Sequence, residues 1–491
     1  MVVRKDKVIK GRLIGIKAMS SRLTFHFGTD GVRGVIDEEF TEFLVAVLAE
    51  STIRYWSRKY GLRRLFVSFD ARRKSKEFAQ IVAGVALNHG LDTVMVSKPT
   101  PTPTAAWYGN KFGFDLVIQI TASHNPPTYN GFKVITNRGS PAQEEDTDQI
   151  EKLYSDEYSD ITRSVKTLEL RPIPAVDPAP EYINYVYESV TRMFKPRNRF
   201  KVIIDPIYAT SIGYTSEIMR KLGMDVTEIH NNYDPNFGGR EPNPEPQNIP
   251  ELIQEVTTGK YDIGISHDGD SDRIALVDRV HGYLSANDIL PIVVERLASA
   301  SMIKIGIVRT VSTTHILDNI ATKYGFKVVE VPVGVKYVAR AILSGEADMG
   351  GEESGGLVYS WHIPDKDGIY TASLIIAMAS EYKGLTNLIS DVRSKYGRAY
   401  FKRIDIEMRN SKKFVNDNKE TLLKLLSSLG SSPRPITIDG VKVVYGDNSW
   451  VLIRGSGTEP KLRIYSEALS MERVEGLINN TVSIVNQLLG H

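Results

Sequence analysis

From residue 40 to about 385, short β-branched runs alternate with segments of helical periodicity, the pattern of parallel α/β units. The spacing predicts strands at 65–69, 115–120, 201–205, 262–265, 304–308 and 327–331. A helix is expected over 41–56, where Phe43, Val47 and Ile53 share a face, and another over 76–88. Segments 289–298 and 370–379 are apolar enough to form buried helices. The last hundred residues change character: helices at 412–429 and 471–489 flank strands at 441–445, 450–453 and 462–465, which predicts a separate α+β domain.

Breaks in the pattern divide the rest. A charged stretch at 144–160 and a Pro-rich one at 171–180 mark the first boundary. The segment 234–250, with five prolines and three asparagines, reads as a long loop inside a domain. The α/β region is too long for one open sheet and divides near 165 and 285. The expected domains are therefore 1–165, 166–284, 285–396 and 397–491.

Composition narrows the class. The chain has 491 residues, 42% hydrophobic and 24% charged, an ordinary soluble globular make-up. It has no cysteine, which excludes disulfides, thiolate catalysis, iron–sulfur clusters and Cys-ligated zinc. Lys+Arg at 61 against Asp+Glu at 59 argues against a dedicated nucleic-acid binder. No run of 18 apolar residues predicts a membrane span. Residues 1–18 carry six basic residues against one acid, which leaves 55 against 58 in the remainder. This head lacks the apolar stretch of a secretory signal. It reads either as a basic extension for a partner or as sequence upstream of a start at Met19. A cytoplasmic enzyme is expected.

The chemistry-bearing residues lie in loops after predicted strands, where open α/β sheets place ligands. Strand 115–120 runs into Thr121-Ala122-Ser123-His124-Asn125-Pro126. Ser123 there is a nucleophile, a phosphate ligand or a turn former. A Ser–His acyl-transfer pair is disfavoured, because neighbours in sequence seldom face each other and no G-x-S-x-G surrounds them. Strand 262–265 leads to Asp268-Gly269-Asp270-Ser271-Asp272-Arg273, three carboxylates at alternate positions. Hard oxygen ligands suit magnesium. A calcium loop of D-x-D-x-D type is excluded, since Arg273 and Arg279 replace its glycine and glutamate. A solvated acidic turn is the other reading. Arg273 beside the trio suits a phosphate.

Three Gly-rich loops complete the set: Gly350-Gly351-Glu352-Glu353-Ser354-Gly355-Gly356, Arg454-Gly455-Ser456-Gly457-Thr458-Glu459-Pro460 and Phe27-Gly28-Thr29-Asp30-Gly31-Val32-Arg33-Gly34. The first can read sugar hydroxyls; the others can cradle an anion. Alone each is weak. In conjunction they describe phosphoryl exchange between a serine and a sugar near a metal ion.

These loops, at 27–34, 121–126, 268–273, 351–356 and 454–460, resemble in order the five signature segments of the α-D-phosphohexomutase family, the likeness covering roughly residues 24–491. The resemblance implies three related α/β domains with mixed sheets and a smaller C-terminal α+β domain around a central cleft. It implies Ser123 as the phosphoserine and, with Asp268, Asp270 and Asp272, as a magnesium ligand. Arg33, Lys133 and Arg273 would steady the transferring phosphoryl group, and Lys133 could also manage the hydroxyl proton. Glu352 and Ser354 would read hydroxyls; Lys336, Arg454, Ser456, Gly457 and Thr458 would hold the other phosphate. The implied reaction interconverts hexose 1-phosphate and hexose 6-phosphate through a hexose 1,6-bisphosphate, which also serves as activator. A phosphosugar is the expected partner, with no nucleic acid or membrane, in a monomer or dimer.

Departures bear on the sugar. Ser271 stands where many members have glycine. Gly356 ends the sugar loop where glucosamine-phosphate and some mannose-phosphate enzymes carry histidine. The segment 332–337 with Glu352–Gly356 looks phosphoglucomutase-like. Glucose phosphate is the first expectation, mannose phosphate the second; a phosphoglucosamine mutase or a magnesium-dependent sugar-phosphate phosphatase is the alternative.

Overall fold

The computed structural model describes residues 12–15, 24–28, 30–457 and 460–490. Its first sheet has the order Val32–Val35, Tyr129–Thr136, Leu116–Ile120, Arg64–Phe69, Asp92–Val96, Ala175–Val176. The last four strands are parallel, the first two antiparallel. The second sheet runs Asp225–Glu228, Lys201–Asp205, Ile263–His267 in parallel, then Ile274–Asp278 and Gly282–Leu284 antiparallel. The third repeats the plan with Lys327–Val331, Gly306–Thr310 and Met349–Gly351 in parallel and Leu357–Tyr359 antiparallel. Fully buried strands such as LVIQI and IGISH are the apolar runs that predicted them.

One device recurs in all three sheets. A parallel strand leads into a loop and the chain returns antiparallel beside it, in the registers Ile120↔Phe132, His267↔Ile274 and Gly351↔Leu357. Each loop is thus pinned at both ends at the carboxyl edge of a sheet, where ligands bind. The fourth domain does the same with an antiparallel sheet, order Tyr400–Glu407, Lys461–Ala468, Trp450–Gly455, Val441–Val444, Arg434–Ile436. Its loop follows Gly455, paired with Leu462. The first three domains share one continuous apolar core, whereas the fourth folds around its own, built on Leu422, Leu426, Val441, Ile453, Leu477 and Val485. A small cluster joins Val311 of the third domain to Trp450, Leu452 and Tyr465 of the fourth.

Several elements differ from expectation for identifiable reasons. The helix expected over 412–429 is two, Ser411–Asp417 and Lys419–Ser427, broken at Asn418, whose side chain donates to Phe414 O at 2.9 Å. Strand Tyr400–Glu407 escaped the apolar pattern because it is a sheet edge with alternate residues exposed. The charged stretch 144–160, for which no element is expected from the sequence, is helical: Glu144–Asp156 and Tyr158–Ser164 bury Ile150, Tyr154 and Ile161 beside the helix Glu42–Tyr60. The Pro-rich stretch contributes the edge strand Ala175–Val176. The segment 234–250 is irregular as expected, with two short 3-10 turns. Of the basic head, Arg12–Gly15 pairs with Thr167–Leu170; the remainder of 1–18 lies outside the described residues. No described helix is long and apolar enough to cross a membrane.

Candidate active site

The serine loop is built from below. Asp70 and Arg72 follow the strand Arg64–Phe69, which lies beside the strand that feeds Ser123. Arg72 has a fully buried guanidinium and uses all five of its donors. Nη2 donates to Ser123 O at 2.7 Å and Asn125 O at 2.6 Å, Nη1 to Pro126 O at 2.7 Å and Tyr129 O at 3.0 Å, and Nε to Asp70 Oδ2 at 3.1 Å. Asp70 in turn accepts from Thr121 Oγ1 and Ser75 Oγ, each at 2.6 Å. So held, Ser123 keeps a left-handed φ of 51°, strained for a residue with a side chain and therefore imposed by its surroundings.

The carboxylate loop closes over it. Ser123 Oγ donates to Asp268 Oδ2 at 2.8 Å. The approach is close enough that a Cβ on Gly269 would lie 2.6 Å from Ser123 O, so glycine is required there. Asp268, Asp270 and Asp272 are buried and offer three ligand oxygens within 4.8 Å of one another. Asp270 Oδ1 and Asp272 Oδ1 are buried without a hydrogen-bond partner. Such atoms are costly unless something binds them, and a hard divalent cation is the group that this donor set fits. Ser271 has φ 63° and is fastened by Thr210 Oγ1 at 2.8 Å. The position thus favours glycine, and the serine is tolerated through that bond.

Cations surround the carboxylates. Lys133, on the strand returning from the serine loop, reaches Asp30 at 2.7 Å, Asp270 at 2.9 Å and Asp272 at 3.1 Å. Burial alone would lower its pKa, but Asp270, Asp30 and Asp272 outweigh it and hold the ammonium charged. Arg33 donates to Asn125 Oδ1 at 2.6 Å and Asp30 Oδ2 at 3.1 Å. Arg273 Nε stands 3.9 Å from Asp268 and 4.0 Å from Asp272, a buried donor without a hydrogen bond. Burial, then Asp272 and Asp270, push the Asp268 carboxyl up to about 8. Asp272 moves oppositely: burial raises it, yet Lys366, Lys133 and Arg273 prevail and hold it well below the usual range. His124 is kept neutral by burial and by Arg273, Arg33, Lys366 and Arg72.

The Gly-rich loop 350–356 joins this cluster. Gly355 O accepts from Ile274 N at 3.0 Å, which ties the loop of Glu352 and Ser354 to the carboxylate loop. Glu352 Oε1 accepts from Gly334 N at 2.9 Å, beside Lys336. Lys336 lines a small cavity with Asp30 and Lys133, and pairs with Glu144 at 3.1 Å. Arg454 Nε pairs with Asp439 Oδ2 at 3.0 Å, the same oxygen that takes Val333 N. Ser456 is buried and Gly457 exposed; Thr458 lies outside the described residues.

Family models for all four parts of one architecture match the chain: phosphoglucomutase/phosphomannomutase α/β/α domains I at 24–160, II at 180–282 and III at 285–396, and the C-terminal domain at 405–483. The chain belongs to the α-D-phosphohexomutase family. A phosphoglucosamine/phosphogalactosamine mutase of Sulfurisphaera tokodaii is 30% identical, over 94% of this chain and 98% of its own. A phosphoglucomutase/phosphomannomutase of Thermococcus kodakarensis is 29% identical over 94% and 99%. Among solved structures, a phosphoglucomutase/phosphomannomutase family protein of Burkholderia thailandensis shares the fold, with a TM-score of 0.78, 22% identity and coverage of 94% and 97%.

Within this phosphohexomutase framework, sequence reasoning passed over Asp30, Asp70, Arg72 and Lys366. Lys366 Nζ lies 3.2 Å from Asp272 and 3.7 Å from Asp30, and its stem fills the space that a Cβ on Gly356 would need. The signal was the Asp365-Lys366-Asp367 cluster directly before the buried helix Gly368–Tyr382: charges there must enter the interior. Glu352 yields a prediction. Burial raises its pKa to about 7, against opposition from Lys366. A carboxyl raised in the fold binds a proton more tightly there than in the unfolded chain, so its ionisation costs stability as pH climbs past the unfolded value and through about 7. Glu352→Gln should therefore raise the thermal midpoint at pH 8.5 and leave it unchanged near pH 4. An equal rise at both values would show that ionisation is not the cause.

Proposed function

We propose that the protein is a cytoplasmic phosphohexomutase that interconverts hexose 1-phosphate and hexose 6-phosphate through phospho-Ser123. The observation that carries this reading is the buried bond from Ser123 Oγ to a carboxylate trio with unpartnered oxygens, ringed by Lys133, Arg33, Arg273 and Lys366. Asp268, Asp270 and Asp272, with Ser123, would hold magnesium, which when bound neutralises charge on a phosphoryl group. The chain's own groups do the rest. Arg72 fixes the serine, the four cations stabilise the charge of the group in transfer, and Glu352 and Ser354 orient the sugar. The phosphoryl group of phospho-Ser123 passes to the free hydroxyl of the bound sugar phosphate: the Oγ–P bond breaks as the sugar O–P bond forms, and the hydroxyl proton ends on Ser123 Oγ, which regains its free serine form. The bisphosphate turns over in the site, and its other phosphate returns to Ser123. Lys133, held charged between three carboxylates, suits the stabilising role better than that of a base.

For the sugar, glucose phosphate comes first and mannose phosphate second. Gly356 carries no side chain and the aliphatic stem of Lys366 occupies its place, so the sugar loop meets methylene groups there rather than an imidazole. The two relatives above bear names with different sugars at nearly equal identity, so overall identity does not select one. The test is turnover of glucose 1-phosphate, mannose 1-phosphate and glucosamine 1-phosphate with magnesium and the matching 1,6-bisphosphate. The expected result is 6-phosphate formation that the bisphosphate stimulates and a chelator abolishes. Release of inorganic phosphate without isomerisation would replace this reading by the phosphatase one.

A further inference from the structure

The phosphate loop of the fourth domain has a neighbour that its motif does not contain. The helix Ser411–Asp417 packs on the strand Trp450–Gly455 so closely that a Cβ on Gly455 would overlap the backbone nitrogen of Lys412. Gly455 does not have a positive φ, so its glycine answers to this approach alone. Two residues on, a Cβ at Gly457 would sit 3.4 Å from Lys412 Nζ and 3.7 Å from its Cε. Both glycines of the loop thus face the same lysine, one its backbone and one its ammonium.

The charge of Lys412 is uncommitted. Among the described residues it has no hydrogen-bonding or ion-pairing partner. Three other basic residues, the next in sequence and two assigned to phosphate binding, are engaged. Lys413 pairs with Asp417 at 2.5 Å, Arg454 with Asp439 at 3.0 Å and Lys336 with Glu144 at 3.1 Å. An exposed lysine ordinarily needs no partner, since water serves it. This one differs in being brought onto the loop by a backbone approach that excludes any side chain at 455.

We propose that Lys412 is a further phosphate-contacting residue, supplying a positive charge beside Gly457 to the phosphate that is not being transferred. The inference rests on the reading of Arg454, Ser456 and Gly457 as the phosphate cradle. Lysine binds phosphate as a mobile point charge rather than as a fork. Such a contact suits a cradle that must take the sugar phosphate from either end, because it demands no fixed oxygen geometry.

The experiment measures binding and turnover separately. Calorimetric binding of glucose 1-phosphate, with mannose 1-phosphate as second probe, is read on the Ser123→Ala chain, which should bind without turning over. Adding Lys412→Ala should weaken Kd about ten-fold, the scale of one charge-assisted contact, whereas Lys412→Arg should stay within about three-fold and Lys413→Ala within about two-fold. In the otherwise native enzyme Lys412→Ala should raise KM by a similar factor, with kcat within about two-fold and the thermal midpoint unmoved. A Kd unchanged by Lys412→Ala, or weakened equally by Lys413→Ala, overturns the proposal while the cradle stands. If the native enzyme turns over no sugar phosphate and Ser123→Ala binds none, the reading of the cradle falls and the role of Lys412 falls with it.

Discussion

Replacing Ser123 by alanine will lower mutase turnover by on the order of 10⁴-fold or more and leave hexose-phosphate binding measurable. The argument is one of position. Ser123 is fully buried, its Oγ lies 2.8 Å from Asp268, and its backbone is held from below by Arg72 rather than by its own side chain. Removing Oγ therefore takes away the atom that would carry the phosphoryl group and leaves its frame in place. Asp268 loses one donor but keeps Arg273 N at 3.1 Å, so the folding cost is modest, about 1 kcal/mol. A coupled assay for 6-phosphate formation and transfer of label from a tagged 1,6-bisphosphate to the protein read the two parts separately. Turnover within ten-fold of the native chain would sink the phosphoserine mechanism. Loss of isomerisation with retained phosphate release would point to direct attack by water.

The residues legible in the sequence share one property: their chemistry is contiguous. Asp268, Asp270 and Asp272 stand at alternate positions that suit a cation as well as a solvated acidic turn, and Ser123 stands on a strand end before two prolines. The parallel strands were legible because burial on both faces makes them apolar throughout. Asp70 and Arg72 were not. Arg72 lies in the run Ala71-Arg72-Arg73-Lys74, which looks like a solvated surface, and its partners are carbonyls 51 to 57 residues away. Nothing local separates the buried Arg72 from the exposed Arg73, which pairs with Asp37. Asp30 sat inside a motif recognised for its glycines and Arg33, yet its own role depends on Lys133, over a hundred positions on. The edge strand Tyr400–Glu407 failed for the converse reason: where neither face is wholly buried, composition carries no strand signal.

Arg72 accordingly carries the second large effect. Its five donors meet four carbonyls of the serine loop and the carboxylate of Asp70, all in the interior, and its guanidinium lies 5.1 Å from the ring of Phe237 in the second domain. Lysine has three donors and no planar fork, so Arg72→Lys leaves at least two of these five bonds unmade, although Pro126 O keeps Tyr129 N and Asp70 keeps Thr121 and Ser75. Each costs about 1–3 kcal/mol, and the loop can recover them only by turning its carbonyls toward water. That turn would release Ser123 from its left-handed conformation and move Oγ away from Asp268. The expected result is a folded enzyme with kcat lowered by about 10²-fold or more, slowed labelling of Ser123 by bisphosphate, and KM changed far less. Arg72→Met also leaves Asp70 a buried carboxylate without its cation, held only by the hydroxyls of Thr121 and Ser75 and a backbone N–H, and should destabilise the first domain by about 3–5 kcal/mol. Far-UV circular dichroism and thermal midpoints separate the two variants. Native kcat in a folded Arg72→Lys enzyme would mean that the loop holds its shape without the fork, and that the strain at Ser123 comes from the carboxylate loop packed above it.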